Sequence, residues 1–180
     1  MHVCCGVCAA GVANVLLAEG CRVTGYFYNP NIYPEDEYRR RLDAAKEAAR
    51  QCGYSIIEGP YEPELWNAAV ADLEEEPEGG KRCLACYRLR LERTFSFMQE
   101  QGAQLFTSTL SVSPHKSAAD INSIGREIGA EAFMARDFKK KDGFKHAMEY
   151  SKQWGLYRQN YCGCRYSLKQ AGERLDVNKK

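Results

Sequence analysis

The chain has 180 residues, of which 44% are hydrophobic and 27% are charged, and its 25 Lys and Arg against 24 Asp and Glu leave a formal charge of +1. This length suits one domain with a hydrophobic core, and the balanced charge excludes both a disordered chain and a uniformly basic nucleic-acid binder. The mean hydropathy of −0.53 argues against a transmembrane helix, and no secretory signal is visible. We therefore expect a cytoplasmic protein with no membrane partner.

Helical and strand patterns alternate along the first part of the chain. An apolar run at 9–18 that ends at Gly20 predicts a helix, and β-branched and aromatic residues predict a strand at 21–28. Pro34 and the carboxylates behind it predict the start of a second helix, because acidic side chains favour the positive end of the helix dipole. An apolar stripe at helical spacing continues this helix to Gly53.

The alternation continues to residue 135. A short strand is predicted at 54–57 and a helix at 65–73, followed by an acidic segment at 72–80 that is interpreted as a solvated loop. Apolar residues on one helical face predict a long helix from Cys83 to Gly102. The last predicted elements are a strand at 103–110, a helix at 120–128 and a strand at 132–135.

This order of elements predicts the fold class. Strands that alternate with helices long enough to cross a sheet are typical of an α/β fold, here a single doubly wound, Rossmann-like domain with a mainly parallel sheet. The predicted domain covers residues 1–180 and includes a basic C-terminal extension at 139–180. Ligands of such folds bind beyond the carboxyl ends of the strands. Cys4, Cys5 and Cys8 fall where the first loop after a strand is expected, although very few residues precede them.

The composition is unusual in its nine cysteines. An odd number leaves one thiol over in any complete set of disulfides, and a domain of this size does not need them, so a metal or redox role is favoured. Cys21 and Cys52 have no partner at a useful spacing and are interpreted as core residues. The other seven form three groups, which are Cys4, Cys5 and Cys8, then Cys83 and Cys86, and finally Cys162 and Cys164.

The pair Cys83 and Cys86 lies at the start of a predicted helix, where residues three apart share a face. The helix dipole favours a thiolate there, and Arg82 and Arg88 add positive charge. The spacing alone is compatible with zinc, with an iron–sulfur cluster or with a redox dithiol.

The adjacent pair Cys4 and Cys5 suits a polynuclear cluster better than a single ion, because its two thiols can reach separate metal atoms. With Cys83 and Cys86 they would supply the four thiolates of a [4Fe-4S] centre. A structural zinc site with the same four cysteines is the alternative. Cys8 is either a further ligand or a small buried residue of the following helix.

The last pair, Cys162 and Cys164, brackets a single glycine. A disulfide across such a short ring is strained and easily reduced, which favours a redox role, and Arg158 and Arg165 would lower the pKa of the thiols. Two further metal ligands are the alternative interpretation. His115 is interpreted as a polar loop residue.

Residues 139–174 combine positive charge with aromatic rings. The segment holds nine Lys and Arg against three Asp and Glu, and its rings are Phe144, Tyr150, Trp154, Tyr157, Tyr161 and Tyr166. Cations for phosphates and flat rings for unstacked bases are what single-stranded RNA loops require. A solvated amphipathic helix with aromatic residues in the core is the alternative.

Several of these features occur together in one known family. The motifs are HVCC at 2–5, NPNI at 29–32 with Pro34, Glu35 and Tyr38, RCLACYRLR at 82–90, FTSTL at 106–110, FKKKDG at 138–143 and YRQNYCGC at 157–164. In this order they resemble the QueH-type, cobalamin-independent epoxyqueuosine reductases. Their combination is far more specific than any single C-x-x-C motif.

The resemblance implies a reaction and the residues that perform it. It implies a HUP-like variant of the Rossmann-like fold and two-electron reduction of epoxyqueuosine to queuosine at the wobble position of a tRNA anticodon, with electrons from an unidentified donor. A [4Fe-4S] cluster would be bound by Cys4, Cys5, Cys83 and Cys86. Cys162 and Cys164 would be the catalytic, redox-active pair, and Cys8 would bind an adjacent mononuclear iron.

Two other functions are compatible with parts of the sequence. An iron–sulfur tRNA thiolation enzyme shares the expected fold, but it needs a glycine-rich phosphate loop after the first strand, where this chain has Cys4-Cys5-Gly6-Val7-Cys8. A zinc-stabilised RNA-binding module without enzymatic activity is the other alternative, and metal analysis distinguishes it.

Overall fold

The computed structural model describes residues 1–170; residues 171–180, with Arg174 and the end of the basic extension, lie outside the described part. The described residues form a mixed α/β structure with a two-stranded parallel sheet and two short 3-10 helices. The strands are β1 (Thr24–Phe27) and β2 (Ser55–Glu58), and the helices are α1 (Gly6–Ala18), α2 (Glu35–Cys52), α3 (Pro63–Ala69), α4 (Lys81–Glu100), α5 (Ala118–Gly129) and α6 (Gly143–Gln153), with further helical residues at 165–170. None of the described helices is long and apolar enough to cross a membrane.

The two strands pair in parallel, and single-residue bridges extend their arrangement sideways. β1 and β2 pair from Thr24 with Ser55 onwards. His2 bridges both β1, at Tyr26, and Ser108, and Phe106 bridges Phe133, all in parallel. The lateral order is therefore β2, β1, the first residues of the chain, residues 106–108 and residue 133.

Two predicted strands are wrong as continuous strands. In the predicted strand 103–110 the chain leaves the extended conformation after Ser108, whose hydroxyl accepts a hydrogen bond from the Leu110 backbone and starts the 3-10 helix Thr109–Val112. In the predicted strand 132–135 a second 3-10 helix occupies Ala130–Ala132, so only the bridge at Phe133 is left. The other predicted elements are present with shifted ends; the strand predicted at 21–28 shrinks to β1.

Helix α1 is the central helix of the structure. It begins at Gly6 rather than at residue 9, so Cys5 is its N-cap and Cys8 lies in its first turn. It packs between α2 and α6, and most of its surface is buried. A Cβ atom on Gly6 would lie 2.4 Å from the Ala44 carbonyl oxygen, so only glycine permits this close approach to α2.

Three chain segments end at the same edge of this parallel arrangement. Cys4 follows the first segment, Asn29 follows β1, and Thr109 follows residues 106–108. Side chains join these ends, because the Asn29 amide donates to the Val3 carbonyl over 2.9 Å and the Thr109 hydroxyl accepts from the Cys4 backbone over 3.0 Å. A ligand at this edge would meet residues that are distant in the sequence.

Candidate functional site

Three thiols meet at this edge. The sulfur atoms of Cys4, Cys5 and Cys8 all lie within 4.8 Å of one another, and those of Cys4 and Cys5 are 3.8 Å apart. The start of α1 produces this group, because Cys5 caps the helix and Cys8 follows three residues later on the same side. Cys5 and Cys8 are buried and Cys4 is half-buried.

The surroundings of these thiols favour one negative charge on sulfur. Hydrogen bonds from Cys4 and Cys8 hold the pKa of the Cys5 thiol well below its usual value. The contact with Cys5 raises the pKa of Cys4, and the contacts with Cys4 and then Cys5 raise the pKa of Cys8. The Thr109 hydroxyl also donates to the Cys4 sulfur over 3.2 Å, and the Gln159 amide donates to the Cys5 sulfur over 3.2 Å. Donors aimed at sulfur stabilise a thiolate, which is the form that binds metals.

Cys83 and Cys86 lie in the first turns of α4, as their spacing predicts, but outside the group of three thiols. Cys83 packs against the same hydrophobic cluster as Cys4, and Cys86 packs with Cys164. Burial raises the pKa of both thiols, that of Cys83 to about 11. The α4 pair therefore lies between the first and the last groups of cysteines.

The two arginines that flank this pair do not act on it as expected. Arg88 forms an exposed ion pair with Glu127. Arg82 is buried and donates to backbone carbonyls of the acidic segment 72–80, while its guanidinium lies 4.5 Å from the centre of the Tyr166 ring. Apart from this anchoring the acidic segment is largely exposed, as predicted.

Cys162 and Cys164 lie on a turn and carry free thiols. Gly163 has a φ of +128°, a conformation that side chains disfavour. Cys164 is buried beside Cys86 and Trp66, and its sulfur accepts from the Ser167 backbone over 3.4 Å. The expected partners Arg158 and Arg165 are both exposed, and Arg165 binds Asn67 instead.

Arg41, which the sequence analysis missed, holds this turn. Its side chain is 2% exposed and donates to the Cys162 and Tyr161 carbonyls over 2.9 and 3.1 Å. It also forms a buried ion pair with Glu37, at 2.7 Å, and Glu37 in turn accepts from the Tyr157 hydroxyl over 2.6 Å. The guanidinium charge is therefore balanced by a carboxylate next to it.

Arg90, which the sequence analysis also missed, is buried next to Cys86. The residue is 3% exposed, and its guanidinium donates to the Asn29 side chain over 2.6 Å. It lies 3.3 Å from the His2 ring and 3.9 Å from the Cys86 sulfur. Burial and the Arg90 charge lower the pKa of His2 to about 3, so His2 is neutral. No carboxylate among residues 1–170 pairs with Arg90.

Two adjoining cavities open beside the thiols. The outer one measures about 320 Å³ and the inner one about 30 Å³. Residues common to both linings are Cys8, Ser113, Lys116, Gln159 and Cys162. Burial lowers the pKa of Lys116, but negative charge on Cys162 and Cys4 outweighs this and raises it above its usual value. Lys116 is therefore a cation placed among thiols.

The basic extension is only partly the surface that its composition predicts. Seven cations within residues 139–170 are exposed, but Tyr150 and Trp154 stack on each other, Tyr157 binds Glu37 and Tyr166 lies under Arg82. Phe144, 38% exposed, reaches the lining of the outer cavity. The exposed cations are Lys140, Lys141, Lys145, Lys152, Arg158, Arg165 and Lys169.

The remaining predicted residues lie to the side of the site. Cys21 and Cys52, interpreted as core residues, are half-buried and pack against the edge of the hydrophobic cluster around α1. His115 is an exposed loop residue in the lining of the outer cavity.

The donor set fits an iron–sulfur cluster or zinc. Every ligand atom of the group Cys4, Cys5 and Cys8 is a sulfur, which soft metals prefer. The Trp66 indole nitrogen, in the cluster that contains Cys86, is buried without a hydrogen-bond partner in the described structure. An N–H group in that position can donate to a metal-bound sulfur.

The comparisons with known proteins agree with one another. A sequence model of the family described as epoxyqueuosine reductase QueH matches residues 1–170. The chain is 36% identical over 189 residues to the epoxyqueuosine reductase QueH of Streptococcus pyogenes serotype M1, covering all of this chain and 74% of that protein. It is 37% identical over 155 residues to the protein of the same name from Thermotoga maritima, covering 83% of this chain and 81% of that protein.

Proposed function

The chain belongs to the epoxyqueuosine reductase QueH family and is an oxidoreductase, and on this basis we propose that it reduces epoxyqueuosine in a tRNA anticodon to queuosine. The reaction takes up two electrons and two protons, removes the epoxide oxygen as water and leaves a carbon–carbon double bond. The observation that carries the proposal is the meeting of thiols and a cation at one cavity beside the carboxyl ends of the parallel segments.

Cys4, Cys5, Cys83 and Cys86 are the proposed ligands of a [4Fe-4S] cluster, which when bound would act as a one-electron carrier. Two features support this assignment, the short distances around Cys4 and Cys5 and the packing of Cys83 against the hydrophobic cluster that Cys4 also contacts. Cys8 is the proposed ligand of an additional iron. Its sulfur belongs to the same group of three and also lines both cavities.

Cys162 and Cys164 are the proposed redox pair. Oxidation of the two thiols to a disulfide provides the two electrons of the reaction and releases two protons. Their positions support a division of roles. Cys162 lines both cavities, whereas Cys164 belongs to neither lining and packs in the buried cluster that contains Cys86, a proposed cluster ligand.

We also propose a sheet arrangement and a tRNA-binding surface for this chain. The lateral order of the parallel segments supports a doubly wound, Rossmann-like and HUP-like arrangement in a single domain. The exposed cations of residues 139–170 support contact with tRNA phosphates next to the outer cavity. The electron donor is not identified, and a cytoplasmic location stays a prediction.

The alternative functions need features that differ from this site. A thiolation enzyme would bind a nucleotide phosphate where α1 begins, but that position carries Cys5 as N-cap and three thiols. A zinc-stabilised module would use the same sulfur ligands without electron transfer, so it is tested by metal content.

The test uses protein purified and reconstituted without oxygen. We expect a brown protein that contains iron and acid-labile sulfide, and conversion of epoxyqueuosine to queuosine when the reduced protein is incubated with the modified tRNA. Nucleoside analysis of digested tRNA measures the product. A colourless zinc protein, or unchanged epoxyqueuosine with an intact cluster, would contradict the proposed function.

A further inference from the structure

The outer cavity has the size and lining of a site for one nucleobase. Its volume of about 320 Å³ is at the lower end of the range for small-ligand sites. Phe144 and Tyr161 offer aromatic surface, and Gln159 and Asn160 offer amide groups. An unstacked base is recognised by this combination of stacking and hydrogen bonding.

Lys116 lies where this cavity meets the thiols. It lines the outer cavity and also the inner one, together with Cys4, Cys8 and Cys162. Its loop is held by other groups, because the Lys139 ammonium donates to the Ser111 and Lys116 carbonyls, each over 3.1 Å. The Lys116 ammonium itself makes no hydrogen bond or ion pair within residues 1–170, so its charge is available to a ligand.

The other cations near the cavities are less suited to act on a ligand atom at the inner end. Arg90 is already bound to Asn29 and His2. Arg158 is exposed and contributes to the outer lining but not to the inner one. The Lys116 ammonium can stabilise a negative oxygen at the inner end of the cavity.

We propose that Lys116 is a catalytic residue whose ammonium stabilises the negative oxygen that forms as the epoxide of a modified nucleobase bound in the outer cavity opens. The inference rests on the proposed function and adds to it the group that meets the leaving oxygen. Both carbon–oxygen bonds of the epoxide break and the double bond forms with two electrons from the Cys162 and Cys164 dithiol. The oxygen takes up the two protons that the dithiol releases and leaves as water, and Lys116 keeps its charge throughout.

The test compares three variants in single-turnover reactions of the reconstituted, reduced holoprotein with an anticodon stem-loop that carries epoxyqueuosine. Lys116→Met keeps most of the stem length and removes the charge, so the rate constant should fall by about 100-fold, the lower range for loss of a group that stabilises developing negative charge. Lys116→Arg should keep most of the wild-type rate, because it keeps the charge. Lys116→Ala should regain part of the rate as ethylammonium is added.

Lys46→Met is the matched control, since Lys46 pairs with Glu58 on the surface near β2 and should leave the rate unchanged. The dissociation constant of the stem-loop and the iron and sulfide contents should be the same in all variants. A wild-type rate in Lys116→Met overturns the inference while leaving the proposed function intact. Loss of the cluster or of stem-loop binding overturns the catalytic role, and an inactive wild type contradicts the function itself.

Discussion

Two buried arginines, each beside proposed functional cysteines, are held in opposite ways. Arg41 pairs with Glu37 at 2.7 Å and binds the carbonyl groups of the Cys162 turn. Arg90 contacts the side chains of Asn29, His2 and Cys86, none of which is a carboxylate. A buried charge is costly unless an opposite charge accompanies it.

The two arginines therefore differ in what they stabilise. The Arg41 charge is balanced by Glu37, so this region needs no further charge to hold the Cys162 turn. Among residues 1–170 no carboxylate balances the Arg90 charge, and metal-bound thiolates would provide the negative charge, namely Cys86, which Arg90 contacts, and Cys4. We therefore expect changes near Arg41 to affect the geometry of the turn, and changes near Arg90 to affect the bound metal centre.

The largest effects should come from the cysteines of the two regions. Cys86→Ser should lose iron and sulfide, because a proposed ligand is removed. Cys162→Ser should keep both but abolish turnover, because no disulfide can form. Metal analysis and nucleoside analysis of the two variants test this. Full activity of Cys162→Ser would exclude the dithiol role, and an unchanged cluster in Cys86→Ser would exclude that residue as a ligand.

Replacing Arg41 should mainly destabilise the fold. Arg41→Gln leaves Glu37 buried without its cation, which typically costs about 3–5 kcal/mol of unfolding free energy. Urea denaturation of wild type and variant in the same metal state measures the loss. Adding Glu37→Gln should recover part of it, since both charges are then gone. A loss in Arg41→Gln that this second change does not reduce would mean that the carbonyl contacts, and not the ion pair, are decisive.

Replacing Arg90 should change the potential of the bound cluster. A nearby positive charge favours the reduced state, so Arg90→Gln should lower the midpoint potential, by roughly 60 mV if the equilibrium changes tenfold for one electron. A redox titration followed by absorbance measures this shift. The double variant Arg41→Gln/Glu37→Gln is the control, because removing a neutral ion pair should shift the potential less. Equal shifts in the two variants would remove the distinction between the regions.

Replacing an exposed arginine on the same helix as Arg41 should have the smallest effect on stability. Arg39 pairs with Glu35 at 2.9 Å, but both side chains are more than half exposed. Solvent screens such pairs, so Arg39→Gln should leave the urea midpoint unchanged within error. A loss comparable to that of Arg41→Gln would show that burial does not control the cost.

The meeting of Cys4, Cys5 and Cys8 could be predicted from the sequence, because these residues are close in the chain and need only the start of α1 to come together. The two strands predicted beyond residue 102 failed, since local apolar patterns cannot reveal that Ser108 ends the extended conformation by capping a 3-10 helix.

The two buried arginines were missed because charged residues are usually solvated. Their positions did carry a signal. Arg41 lies three residues after Tyr38 and next to Leu42 on the apolar stripe of α2, and Arg90 has the same relation to Tyr87 and Leu91 on α4. A cation within an apolar stripe predicts burial, but its partners lie at distant positions that the stripe does not reveal.

The acidic segment 72–80 gives the mouth of the outer cavity a fixed electrical polarity. Arg82 ties the carbonyls of this segment in place, and Glu78 contributes to the cavity lining, as does the cationic Arg158. A polyanion that approaches is repelled by one part of the rim and attracted by the other, which restricts the orientations in which it can dock. The chain is nearly neutral in total, yet the rim of its outer cavity favours some docking orientations of a polyanion over others. This orientational selectivity should weaken as added salt screens the charges on both parts of the rim.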